Sequence, residues 1–199
     1  MMRMTMICLL RQKKKMSIRI IDDFLEAEYF AILYNHITST QFPWYYQDNI
    51  SLPSPDNTTY NKFGFDHLIY EEGMSIKDID KIVLPLLNQI MSNVEHSKLI
   101  RCRLDMTINR NNTNPLEAHV DFTIPHITTI FYLMNSDGNT ILYNEEHDGV
   151  EKTNDDLTIH QEIEPKANRL LIFDGLTWHT GHTPCYNNRR ILINTNLTY

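Results

Sequence analysis

His119-Val120-Asp121 places an imidazole and a carboxylate two positions apart. In an extended strand residues i and i+2 project from the same face, so the pair could close together on a metal ion. Alone the pair says little, because 9 histidines and 25 acidic residues spread over 199 positions give about one His-x-acid pair by chance, and a second, His160-Gln161-Glu162, is present. Context separates them. After Asp121, 57 residues pass before His179, and Arg190 then opens the last apolar run. Two histidines and one carboxylate on one face of an octahedron leave three positions open, which suits a non-haem Fe(II) that must take a chelating co-substrate and dioxygen together. An arginine deeper in the same barrel would hold the far end of a dicarboxylate through two hydrogen bonds and stay charged when buried. Only 16 residues separate Glu162 from His179, too few for the intervening core strands, so His160 and Glu162 read as a solvated strand face.

The elements that must carry these residues follow from periodicity. Ile100, Cys102, Leu104, Met106 and Ile108 alternate with Arg101, Arg103, Asp105 and Thr107, which predicts a strand with one wet face. Strand-like runs follow at 119–122, 127–134, 140–144, 157–163, 169–173, 176–182 and 190–197, separated by Asn-, Asp-, Gly- and Pro-rich turns. The front reads as helical. Leu25, Tyr29, Ile32, Leu33 and Ile37 recur at three and four residues behind the capping candidates Asp22 and Asp23, and this helix should stop near Ser39. A second helix should start at Ser75, with Asp78 completing a capping box, and run to Val94 with a kink or split at Pro85. Between them, 41–64 holds Trp44, Tyr45, Tyr46, Pro53 and Pro55 and reads as a covering loop. Helices followed by many short strands predict a mainly β sandwich or jelly roll with the helices packed outside, as one domain over 16–199 with a helical front (16–97) and a β core (98–199).

Composition narrows the function. The net charge is −7, but residues 1–15 hold five bases and no acid, so from Met16 onward 13 bases face 25 acids. A body that acidic repels a phosphate backbone, which argues against nucleic acid as partner. Segment 1–15 reads as a disordered tail or an over-extended start. Cys8, Cys102 and Cys185 show no paired spacing, which fits a reducing cytoplasm, and no run approaches the roughly 20 apolar residues of a membrane span.

Over 99–199 the chain resembles the Fe(II)- and 2-oxoglutarate-dependent oxygenases, in particular their prolyl 4-hydroxylase-like branch. The pieces that match, in order, are His119-Val120-Asp121, Thr129-Ile130-Phe131-Tyr132-Leu133, Asp137-Gly138-Asn139-Thr140, 164–173, Trp178-His179-Thr180-Gly181 and Arg190-Ile191-Leu192-Ile193. The resemblance implies a double-stranded β-helix of cupin-like form with His119, Asp121 and His179 as Fe(II) ligands. It further implies Arg190 as anchor of the far carboxylate of 2-oxoglutarate, with Tyr132 bonded to the same carboxylate. His182 competes with His179, and Arg189 with Arg190. His179 is preferred for its place after Trp178, and Arg190 because it shares a strand face with Leu192 and Asn194. Leu192 departs from the branch, where a small or polar residue is usual.

The implied reaction is hydroxylation of a C–H bond with O2, releasing succinate and CO2, on a peptidyl residue or a free amino acid. Trp44, Tyr46 and Trp178 are the candidate substrate contacts, and the acidic stretch 145–156 reads as a solvated hairpin. Rival readings are a non-oxidative metal-binding barrel, for which Arg190 would have no use, an oxygenase repairing nucleic acid, and a binding protein with an empty site.

Overall fold

The structure, a computed structural model, describes residues 16–50, 63–111 and 114–199; the basic segment 1–15 and the centre of the expected covering loop, 51–62, lie outside them. Among the described residues ten strands form two antiparallel sheets in a jelly roll. The larger sheet has the order β1-β8-β5-β10-β4-β3-β2 and the smaller β7-β6-β9. In chain order the strands are β1 (Arg19–Ile21), β2 (Tyr45–Gln47), β3 (Gly64–Glu71), β4 (Lys98–Ile108), β5 (Ile127–Tyr132), β6 (Thr140–Glu146), β7 (Ile159–Ile163), β8 (Arg169–Asp174), β9 (Thr177–Gly181) and β10 (Arg189–Thr198). Two helices, α1 (Ala27–Thr38) and α2 (Leu84–Asn93), lie outside the larger sheet. Among the described residues no helix is long and apolar enough to cross a membrane.

Strands β5, β8 and β10 each carry a run that is apolar on both sides, Ile130–Tyr132, Leu170–Phe173 and Ile191–Ile193, because both sides are buried there. Phe131, Leu170, Ile172, Ile191 and Ile193 join Leu33 and Ile37 of α1 and Leu86, Leu87 and Ile90 of α2 in the main core. The intervening Ile130, Tyr132, Leu171, Phe173 and Leu192 meet Leu142 and Ile163 of the small sheet in a second core between the sheets. Strand β4 splits its faces differently: Cys102 and Leu104 enter the helix-side core, whereas Arg101, Arg103, Asp105 and Thr107 turn into the cavity between the sheets. The face that alternation marks as wet is therefore the inside of the barrel.

Several local expectations are corrected. The front is not all helical, since β1, β2 and β3 extend the larger sheet. In β3 a register shift between Leu68 and Tyr70 breaks the period of two, and β1 and β2 are three residues long, so periodicity shows none of them. Asp22 and Asp23 do not cap α1. Its N-cap is Glu26, without a side-chain bond, while Asp22 pairs with Arg169 and Lys166 and Asp23 takes a positive φ of 50°. Pro85 does not kink α2 but sits in its first turn, where the missing N–H has no bond to lose. The Ser75 segment forms a separate 3-10 turn, Ile76–Asp78, capped by the Ser75 side chain. Segment 119–122 forms one β-bridge and not a strand.

Candidate metal centre

His119 and His179 face each other across that single bridge. Each backbone N–H donates to the other's carbonyl, at 2.9 and 3.0 Å, which makes them a directly opposed antiparallel pair with both rings on one side and 4.6 Å between ring centroids. The preceding segment is pinned to β9: Leu116 N–H donates to the Gly181 carbonyl, and Thr180 Oγ1 donates to the Leu116 carbonyl. Two residues beyond His119, Asp121 brings its carboxylate to the same place. One donor atom from each of His119, Asp121 and His179 lies within 4.8 Å of the others, with His179 Nε2 3.7 Å from Asp121 Oδ2.

The donor set fits a divalent cation. Nδ1 of His119 lies 3.1 Å from the Glu117 carbonyl and Nδ1 of His179 lies 3.0 Å from the Thr177 carbonyl. A carbonyl only accepts, so each Nδ1 carries the proton and each Nε2 keeps its lone pair for a metal. Burial and the neighbouring His119 push His179 down to about 4, which keeps it neutral near pH 7. Burial works to raise the Asp121 carboxyl, but His179, His119, Arg101 and a hydrogen bond from Asn196 together hold it well below the usual carboxylate range. A neutral His179 and an ionised Asp121 result.

Asp121 is held from several sides. Arg101 Nη2 donates to Oδ1 at 2.8 Å, and Oδ2 accepts from Asn196 at 2.9 Å and from Asn194 at 3.2 Å. Sequence reasoning assigned none of these a role. The parity of β4 and β10 could have found them, since Arg101 lies opposite Asn196 and Arg103 opposite Asn194 across the two strands.

Deeper in the barrel, Arg190 is 6% exposed and lines the same cavity as the triad. Its Nη2 donates to Thr140 Oγ1 at 2.6 Å, and the Tyr132 hydroxyl donates to the same oxygen at 2.7 Å. Among the described residues no carboxylate is paired with Arg190, and its Nε has no hydrogen-bond partner. Buried Thr107, opposite Arg190 on β4, has an unpartnered hydroxyl as well. These orphaned donors match a dicarboxylate end. Glycines make room for the guanidinium, because a Cβ at Gly181 would stand 2.9 Å from Arg190 Nη1.

Of the alternatives left open by spacing, His182 lies outside the triad, and Arg189 is less buried than Arg190 and does not line the cavity. Leu192 is in the cavity wall and in the core between the sheets. The three candidate substrate contacts are not brought to the site. Trp178 is 1% exposed and packs with Ala118, Ile141 and Tyr143, because alternation along β9 turns it away from the face of His179. Trp44 packs against the helix-side core, and Tyr46 packs its ring 5.9 Å from both Phe63 and Phe65. Gln47, one position on, is the residue of β2 that lines the cavity. His160 and Glu162 are exposed on β7.

No family model matches the chain, and no curated protein matches it in sequence. Solved structures do. A prolyl-4-hydroxylase from Pseudomonas putida aligns with a TM-score of 0.55 and 12% identity over 92% of each chain. A prolyl hydroxylase from Trichoplax adhaerens, solved with a hypoxia inducible factor peptide fragment, aligns at 0.53 and 17% identity over 90% of this chain and 83% of that one. The non-heme alpha ketoglutarate dependent epimerase SnoN from nogalamycin biosynthesis aligns at 0.60 and 10% identity over 91% and 78%. The chain thus has the jelly-roll fold of the 2-oxoglutarate- and Fe(II)-dependent oxygenases, the group its motifs resemble.

Proposed function

We propose that the protein is an Fe(II)- and 2-oxoglutarate-dependent dioxygenase that hydroxylates a C–H bond of a peptidyl residue or a free amino acid. The observation that carries this reading is Arg190: a buried guanidinium with no acid partner among the described residues, in one cavity with a His-Asp-His triad. A metal alone would have no use for it, and a dicarboxylic co-substrate would.

His119, Asp121 and His179 would hold the metal by Nε2, a carboxylate oxygen and Nε2. When bound, Fe(II) and 2-oxoglutarate supply the oxidising chemistry, with O2 consumed and succinate and CO2 released. The chain's own residues position and enclose. Arg190 takes the far carboxylate, and Thr140 holds Nη2 of its fork at a fixed angle. Tyr132, expected to bond the co-substrate, instead donates its hydroxyl to Thr140 and so acts on the anchor through the residue that holds Arg190. Arg101, Asn194 and Asn196 fix the orientation of Asp121. Ile130 and Leu192 line the co-substrate side with apolar surface, excluding water from the reacting centre.

The test is succinate formation from 2-oxoglutarate by anaerobically Fe(II)-loaded protein on exposure to oxygen. Turnover should be lost in both His119→Ala and Arg190→Ala. Absence of succinate together with absence of 2-oxoglutarate binding would overturn the proposal.

A further inference from the structure

Beside the metal triad, away from Arg190, the barrel opens into a second cavity of about 260 Å³. It shares Ile50, Arg103, Asp105, His119 and Asp121 with the co-substrate side, so the two are halves of one space that meet at the His-Asp-His triad. The wall of this half is charged. Apart from Asp121, it presents the guanidinium groups of Arg101 and Arg103 and the carboxylates of Asp66 and Asp105, with Ile50 and Val120 as its apolar part.

These charges are unevenly matched. Arg101 is taken by Asp121, at 2.8 Å, and packs over the Phe122 ring at 4.9 Å. Arg103 Nε lies 2.7 Å from Asp105 Oδ1 as an ion pair but without hydrogen-bond geometry, which leaves the donors of the guanidinium, five N–H in all, largely available. Asp66 stands directly opposite Asp105 across β3 and β4, an arrangement that repels unless a cation lies between or beside the pair. Among the described residues Asp66 has only the neutral amide of Gln47, donating to Oδ1 at 3.0 Å, and no basic partner. Among the described residues the cavity therefore offers a carboxylate that no cation touches, although the Arg103 charge acts on it from nearby, and, next to it, a partly engaged guanidinium.

We propose that this cavity binds a small zwitterionic substrate, a free α-amino acid, with its ammonium group on Asp66 and its carboxylate on Arg103. The inference rests on the oxygenase reading and narrows its substrate class. An apolar ligand would desolvate four charged groups without replacing their water contacts. An internal residue of a peptide has neither an ammonium nor a carboxylate on its main chain. A free amino acid meets both charges at once and leaves its side chain to extend towards the metal, beside which Asp105, His119 and Asp121 line both halves of the cavity.

The test is calorimetric binding to protein loaded with Mn(II) in place of Fe(II), so that no turnover intervenes, with and without 2-oxoglutarate. The titrants are the free L-amino acids, the N-acetyl and carboxamide forms of each, and short peptides carrying the same residue internally. At least one free amino acid should bind, and blocking either end should weaken it tenfold or more. Asp66→Asn should weaken the free amino acid about tenfold and leave the N-acetyl form unchanged, while 2-oxoglutarate affinity stays as in wild type. Arg103→Lys, which keeps the charge but loses the planar fork, should weaken the free form and leave the carboxamide form unchanged. Equal or tighter binding of the internal peptide overturns the zwitterion site in favour of a peptide substrate. Binding of 2-oxoglutarate with no amino acid bound under either condition overturns this inference and leaves the oxygenase reading standing. Failure to bind 2-oxoglutarate overturns the oxygenase reading, and this inference with it.

Discussion

Arg190 Nη2 donates to Thr140 Oγ1 at 2.6 Å, and this bond joins the last strand of the large sheet to the first residue of β6 in the small one. Thr140 accepts from Tyr132 as well, so one hydroxyl oxygen orients both the guanidinium and the phenol. Thr140→Val keeps the shape and removes the acceptor, leaving two buried donors short of a partner. The expected result is a loss of about 1–3 kcal/mol of stability. With the fork free to rotate, 2-oxoglutarate should bind about tenfold more weakly, a change of about 1.4 kcal/mol. Thermal melting and calorimetric titration read the two effects separately. Thr140→Ser should restore both, and wild-type affinity in the valine variant would remove Thr140 from the anchor.

Asn196 is fully buried and donates to Asp121 Oδ2 at 2.9 Å. Its partner on β4 is Arg101, which donates to the other oxygen of the same carboxylate. Asn196→Ala should leave the fold intact and lower Mn(II) affinity by about 10–100-fold, the usual effect of removing a hydrogen bond that orients a metal ligand. Loss of metal affinity with no change in 2-oxoglutarate affinity measured on metal-saturated protein would assign the residue to Asp121 alone. Unchanged metal affinity would mean that Arg101 and Asn194 suffice.

How much of this was legible in the sequence depended on whether a face could be told from its partner. Strands β5, β8 and β10 stood out by continuous apolar runs, Ile130–Leu133, Leu170–Phe173 and Ile191–Ile193, as burial on both sides demands. Strand β4 stood out by alternation, yet alternation only says that two faces differ, and here the charged face of Arg101, Arg103 and Asp105 points into the barrel. The same limit decided Tyr46 against Gln47. Adjacent strand residues face opposite ways, and only the register of β2 on β3, with Gln47 opposite Gly64, says which one meets the cavity. His119, Asp121, His179 and Arg190 were visible as an ordered set, while Thr140 was visible only as part of a matching motif. Its role depends on contact between strands of different sheets, which no local pattern encodes.

Asp22 gives a pH dependence of known sign. Hydrogen bonds from Arg169 and Lys166 hold its carboxyl at about 2, against an ordinary value of 3.8. A carboxyl depressed in the folded state stabilises that state above its unfolded pKa, and the contribution is lost as pH falls through the folded value. Asp22→Asn should therefore melt lower than wild type at neutral pH, and the gap should close between pH 3.8 and about 2. The pair is 38% exposed on the Asp22 side, so solvent and salt screen it. A difference of no more than about 2–4 °C, shrinking in high salt, is expected. A gap that persisted below pH 2 would mean that the substitution acts through packing.

Asn154 lies in the acidic excursion between β6 and β7, which composition alone marks as a solvated hairpin. Its side chain reaches back to the segment that delivers the metal ligands: Oδ1 accepts from Ala118 N–H at 2.7 Å, and Nδ2 donates to the Leu116 carbonyl at 3.0 Å. One amide thus satisfies two backbone groups shortly before His119, as a neighbouring strand would, between the two isolated bridges Pro115–His182 and His119–His179 that tie this segment to the β9 side. The excursion itself is shaped for this by the capping box of Thr153 and Asp156 around the 3-10 turn Asn154–Asp156. Asn154→Ala should lower metal affinity about tenfold, within the range seen when a supporting hydrogen bond is lost. It should also raise amide hydrogen exchange at Ala118, whose N–H loses its acceptor. Asn154→Asp keeps the acceptor for Ala118 but replaces the donor to Leu116, so it should preserve the Ala118 protection while recovering only part of the metal affinity. If Asn154→Ala binds metal like wild type although Ala118 exchanges faster, the bridge between His119 and His179 holds the site without outside support.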